Sequence, residues 1–167
     1  DFKVNSKEKS RKIQKLMYFC AIVKIIMTQK AKPFIKWVGG KTQLIETIQK
    51  LLPEDFRNQH NITYIEPFVG GGAVLFWILQ KYPDIKKAVI NDINPDLTTA
   101  YKTIKTNPKG LIKALRSIQN EYLPLTEGDR KAYYLLKRDR FNTKSLEPVE
   151  NTALFIFLNR TCFNGLY

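Results

Sequence analysis

Three consecutive glycines, Gly70, Gly71 and Gly72, stand between a β-branched apolar run at residues 62–65 and a helically spaced apolar stretch that begins at Ala73. A chain that passes from an extended segment into a helix through residues without Cβ atoms makes a tight strand-to-helix turn, with backbone N–H groups left free at the helix start. The helix over residues 73–82 is stopped by Pro83, and a second short apolar run, residues 88–90, closes on Asn91 and Asp92. Strand, helix and strand in that order predict a βαβ unit of a doubly wound α/β sheet. Ahead of it, residues 34–38 read as extended, Gly39 and Gly40 as a turn, and Leu44, Ile45, Ile48, Leu51 and Leu52 give helical spacing up to Pro53. Beyond Asp92 the pattern predicts only helices, over residues 95–105, 108–121, 128–141 and 149–159. There is no internal repeat and no low-complexity tract.

Composition bounds what this pattern can serve. A chain of 167 residues with 44% hydrophobic and 26% charged residues can bury a core and is about one domain in size, which excludes collagenous, mucin-like and wholly disordered chains. Lys plus Arg is 28 against 15 Asp plus Glu, a formal charge of +13, which points to a polyanionic partner, nucleic acid before a membrane surface. Residues 1–32 carry nine of those cations against Asp1 and Glu8, so this basic extension exaggerates the signal. Its apolar run, residues 16–27, is interrupted by Lys24 and is too short to span a membrane, which takes about 20 residues. Basic then apolar is also the order of a signal peptide, yet the following TQKAKP offers no small-x-small cleavage site. Two readings of the extension stand side by side: a native N-terminal helix, or upstream sequence read through to a true start at Met27. Cys20 and Cys162 are far apart and lack His or Cys neighbours, so neither a disulfide framework nor a metal site is expected, and the default compartment is the reducing cytoplasm.

Four segments could carry chemistry. In YIEPFVGGG, residues 64–72, the glycines let a ligand approach the backbone closely, but their spacing is not the G-x-G-x-x-G of a dinucleotide site, and a ligand-free turn is the plain alternative. Asp92 ends the second strand, where a carboxylate can accept hydrogen bonds from ribose hydroxyls; its plain alternative is a helix N-cap. In FIKWVGGKTQ, residues 34–43, Ile35 stands where a phosphate-binding loop needs its first glycine, so no triphosphatase is implied. What remains is Trp37 and Lys41 flanking a glycine pair, a π-face suited to adenine and a cation, or a core Trp and a surface Lys. Last, LNRTCFNGLY, residues 158–167, combines Arg160, Phe163 and Asn164: a phosphate-pairing cation, a wedging ring and an amide able to read base edges, with Asn164-Gly165 equally a hairpin turn. The helix over residues 128–141 interleaves Arg130, Lys131, Lys137, Arg138 and Arg140 with Tyr133, Tyr134 and Phe141, which fits nucleic acid or a solvated amphipathic face.

In this order, PFIKWVGGK (33–41), EPFVGGGAV (66–74), NDINPDL (91–97) and NR-x-x-FNGLY (159–167) resemble the amino-terminal half of the Dam-type DNA adenine methyltransferases. The resemblance runs from about Pro33 to Tyr167 and implies a partial Rossmann-like methyltransferase sheet followed by a helical DNA-recognition region. It divides the chain into the extension 1–32, a cofactor-binding part at 33–94 and a target-recognition region at 95–167. It implies S-adenosylmethionine as methyl donor and double-stranded DNA as partner, with no metal and no membrane. By matching positions, Trp37 and Lys41 contact the cofactor, Phe68, Gly70 and Gly72 form the loop beneath it, and Asp92 holds its ribose. Glu66 is placed near the amino end of the methionine moiety by similarity alone, while Phe163 and Asn164 match a pair inserted into DNA and Arg160 would touch its backbone.

One family element is missing from these residues. The D-P-P-Y motif, whose carboxylate and proline carbonyl hold the amine of a flipped adenine while the Tyr stacks on it, does not occur in the chain. No catalytic residue is therefore assigned, and the resemblance implies a truncated chain that binds weakly and turns over nothing. The alternative is a non-catalytic DNA-binding protein on a methyltransferase scaffold. A nicotinamide-dependent oxidoreductase would keep only the βαβ pattern and has the wrong glycine spacing.

Overall fold

The computed structural model describes residues 30–162. Lys41–Leu44 form one turn of 3-10 helix that runs into α1, Ile45–Leu51, and Leu52 and Pro53 end it. Strand β1, Ile62–Glu66, follows a second 3-10 turn at Glu54–Asn58. The glycine turn leads into α2, Ala73–Lys81, and then β2, Ile85–Ile90, which pairs parallel to β1. The βαβ expectation holds, with β2 three residues longer at its start than the apolar pattern indicated; Lys86 and Lys87 belong to it and are exposed. Residues 34–38, read as extended, make bends without regular strand pairing.

Four helices complete the described chain: α3 at Pro95–Thr106, α4 at Pro108–Tyr122, α5 at Glu127–Asn142 and α6 at Pro148–Thr161. Three of them begin with proline at the first position, where its missing N–H costs nothing, and Asn94 and Asn107 cap the first two by accepting backbone N–H bonds. Thr126 caps α5 by accepting from Asp129 N–H. Helix α6 is buried over residues 152–155 and 157–159 and packs against α3, α4 and α5, as a helix without a polar face must. Leu97, Leu111, Ile118, Phe141, Phe155 and Leu158 form the centre of that core. Inside it, Thr152 Oγ1 donates to Thr103 Oγ1 at 3.1 Å, which satisfies two hydroxyls that would otherwise be lost from water.

Among the described residues the sheet has two strands, in register at Ile65 with Val89 and Glu66 with Ile90. Val74, Leu75 and Ile78 of α2 are buried, and Tyr82 beyond it meets Phe56 and Trp77 edge-on at 4.9 and 5.9 Å. The paired Ile65 and Val89 are 65% and 42% exposed, so an apolar strip of the sheet lies bare.

On α5 the interleaving of cations and aromatics resolves into helical sides. Phe141 is buried, while Tyr133 and Tyr134 lie against Phe157 at 5.7 and 6.4 Å. Arg140 makes a two-pronged ion pair with Glu150 at 2.9 and 3.1 Å, and Lys137 reaches Glu121 at 3.3 Å. The rings therefore serve the core.

A candidate cofactor site at the glycine loop

Parallel strands point their C-terminal ends the same way, and the loops that leave those ends hold most of the residues singled out above. Gly70 and Gly72 adopt left-handed backbone, φ +51° and +83°, which is why the turn requires glycine at these positions. The loop is tied across the sheet: Gly70 N–H donates to Asp92 Oδ2 at 2.9 Å, and Val69 N–H to the Asn91 carbonyl at 2.9 Å. Asp92 Oδ1 accepts from Asn94 N–H at 3.0 Å. The N-cap of α3 is Asn94, whose side chain accepts from Asp96 and Leu97 N–H, so Asp92 is not that cap.

The bend at residues 33–40 folds over the same loop. A Cβ at Gly70 would lie 3.1 Å from Trp37 Cδ1, and one at Gly71 would lie 3.5 Å from the Ile35 carbonyl oxygen. Trp37 is half-buried and packs against the core, with the Phe155 ring edge-on at 6.1 Å. Lys41 turns back from the first helical turn to donate to the Phe68 carbonyl, and its Nζ lies 3.4 Å from Glu66 Oε1. Glu66 is buried; Tyr64 donates to its Oε2 at 2.7 Å, whereas Oε1 has no hydrogen-bond partner among the described residues. Burial first, and then the Glu66 carboxylate, push the Tyr64 phenol well above its ordinary pKa, so it remains a donor. The Phe68 ring is 72% exposed.

Trp37, Lys41, Glu66, Phe68, Gly70, Gly72 and Asp92 are thus connected around one loop, through direct contacts and, for Gly72, through the turn itself. Arg160 is not among them: its Nε donates to the Phe34 carbonyl at 3.0 Å, at the start of the bend that carries Trp37. Phe163 and Asn164 lie outside the described residues. Three residues at the site were given no role by the sequence reading: Tyr64 and Asn159, which lie inside two of the quoted motifs, and Tyr101, which lies in none. Tyr101 donates to the Gly70 carbonyl at 2.9 Å. Asn159, fully buried on α6, accepts from Lys36 N–H and donates to the Lys36 carbonyl, each at 2.8 Å. A signal existed for each, because a polar group at a core-facing position of an apolar pattern must find a partner.

The donor set suits a group with a vicinal diol and a zwitterionic end. The carboxylate of Asp92 has acceptor directions left beyond its two N–H bonds. Buried Glu66 Oε1 lacks a donor, with a cation beside it, and the glycines leave backbone bare between the two ends. Among the described residues no cluster of His, Cys, Asp and Glu could hold a metal ion, and no helix is long and apolar enough to cross a membrane.

Comparison with known proteins adds the family. The model of the D12 class N6 adenine-specific DNA methyltransferases matches residues 37–167. Type II methyltransferase M.MjaIII of Methanocaldococcus jannaschii is 49% identical over 140 residues, 83% of this chain and 48% of that protein. The DNA adenine methylase of Haemophilus influenzae is 38% identical over 137 residues, 82% of this chain and 43% of its own length. The DNA N-6-adenine-methyltransferase of Escherichia phage P1 is 36% identical over 81% of this chain, which is 16% of that protein. The chain spans less than half the length of these relatives. With the match covering most of its length, this chain belongs to the D12 class of N6 adenine-specific DNA methyltransferases.

Proposed function

We propose that the chain forms the cofactor-binding part of an enzyme that transfers a methyl group from S-adenosylmethionine to the exocyclic amine of adenine in double-stranded DNA. The observation that carries this reading is the convergence of Gly70 N–H, Asp92, Lys41, Glu66 and Trp37 at one end of the two parallel strands. Bound there, S-adenosylmethionine supplies a methyl group activated by its sulfonium. Asp92 is suited to the ribose hydroxyls, buried Glu66 to the ammonium and Lys41 to the carboxylate of the amino-acid end. Trp37 closes one side of the loop and Phe68 offers an exposed ring at its start. For DNA, the exposed Lys109, Lys113, Arg116 and Lys131 of α4 and α5 supply backbone contacts. Arg160, Phe163 and Asn164 are assigned to DNA on the motif resemblance alone.

A second reading is a DNA-binding protein on a methyltransferase scaffold that performs no transfer, in which the exposed cations of α4 and α5 act without the cofactor. The two separate in one set of titrations on the 167-residue chain. Under the first, S-adenosylmethionine quenches Trp emission, and Asp92→Ala weakens binding by about tenfold or more, the loss of charged hydrogen bonds. Under the second, DNA binding is salt-sensitive but indifferent both to the cofactor and to Asp92→Ala. Failure of S-adenosylmethionine to bind the unmutated chain would sink the first reading.

A further inference from the structure

We propose that Tyr101 is a positioning residue of the cofactor site, fixing the glycine loop through the Gly70 carbonyl so that the Gly70 N–H stays on Asp92. The inference rests on the reading of the loop as the S-adenosylmethionine site and assigns it a support from α3 that the motif residues do not include.

A glycine run has more backbone freedom to lose than any other sequence, so a loop of three in a defined shape needs restraint from outside itself. Here the restraint falls on one residue from two sides: Asp92 accepts the Gly70 N–H at 2.9 Å, and Tyr101 Oη donates to the Gly70 carbonyl at 2.9 Å. The same phenol fills the space beside the second left-handed glycine, since a Cβ at Gly72 would lie 2.5 Å from Tyr101 Oη. The Tyr101 ring is itself held. Its neighbours on the helix, Leu97 and Ala100, are fully buried, and Phe34 meets it edge-on at 5.3 Å. Phe34 in turn begins the bend that lays Trp37 on Gly70. One side chain thus touches the loop and the bend that covers it. Burial, then the carboxylates of Glu66 and Asp92, push the phenol's pKa well up, so the hydroxyl keeps its proton and its role as donor.

Asp92 gains from this arrangement without touching Tyr101. With Gly70 held, one oxygen of the carboxylate stays oriented by Gly70 N–H and the other by Asn94 N–H, and its free acceptor directions stay aimed at the ligand. Tyr101→Phe removes only the hydroxyl and keeps the ring packing.

The test uses the 167-residue chain with Trp77→Phe, which leaves Trp37 as the reporter of the two tryptophans. Without ligand, Tyr101→Phe is expected to raise amide hydrogen exchange at Gly70 and Gly72 about tenfold, the equilibrium change for one neutral hydrogen bond, while β1 keeps its protection. Unchanged exchange at these glycines overturns the proposal. With S-adenosylmethionine, Tyr101→Phe is expected to weaken binding about tenfold, and Asp92→Asn with Tyr101→Phe to lose less than the product of the two single losses, because both act through Gly70. Multiplying losses would make Tyr101 a structural residue only and also overturn the proposal. If the unmutated chain does not bind S-adenosylmethionine, the cofactor reading fails, and the exchange result alone still decides the role of Tyr101.

Discussion

At Gly72 two requirements coincide, a left-handed backbone at φ +83° and no room for a Cβ beside Tyr101 Oη, whereas Gly71 has neither: its nearest neighbours stand at 3.5 Å. Gly72→Ala is therefore expected to cost about 2 kcal/mol of unfolding free energy and Gly71→Ala well under half of that, measured as urea midpoints of the two variants. Away from the site, Glu121 accepts from Tyr133 at 2.8 Å and Ser117 at 3.0 Å and faces Lys137 at 3.3 Å. The Tyr133 hydroxyl first, then the Ser117 hydroxyl, then Lys137 lower its carboxyl below the ordinary carboxylate value. A pKa lower in the folded state gives stability that is complete above the unfolded value of about 4.3 and disappears as the pH falls through the folded one. Unfolding midpoints taken from pH about 6 down to about 3 should fall less steeply in Tyr133→Phe than in the unmutated chain.

Among the elements, α6 has the furthest reach. Its Asn159 amide occupies both polar groups of Lys36, as a neighbouring strand would, and the next residue, Arg160, takes the Phe34 carbonyl. Asn159→Leu keeps the volume but leaves a backbone N–H and C=O without partners in a half-buried place, for an expected loss of about 2 to 3 kcal/mol. Thermal unfolding would show the loss, and Trp37 emission should shift with it while that of a Trp37→Phe control does not. Such links explain what could be read from residues alone. The glycine turn, Asp92, and the caps at Asn94 and Asn107 are local: each acts on groups within a few positions or at the end of a recognisable strand. Tyr101 and Asn159 act across 31 and 123 positions, so the sequence does not reveal their partners, although Asn159 opens the last of the quoted motifs. Residues 34–38, read as extended, pair with no strand because their polar groups and apolar side chains answer to α6 and to the loop instead of to a sheet partner.

At the scale of the molecule, the described residues form one well-enclosed core around α6 and one half-covered sheet. The bare pair Ile65 and Val89 contributes apolar surface that folding of these residues leaves in water. Ile65→Thr with Val89→Thr should change stability by less than about 0.5 kcal/mol, the range for exposed sites, yet clearly reduce the fluorescence of a bound apolar dye. A large loss of stability would mean that the strip is covered.

The bond between Lys36 and Asn159 also sets an order in time. Ribosomes make the chain from its N-terminus, so Trp37, Lys41, the glycines and Asp92 all emerge before the amide that pins their bend, 123 positions later. During synthesis the residues gathered at the loop are complete in number before the bend that carries Trp37 has its partner, and Lys36 gains that partner only as α6 leaves the exit tunnel.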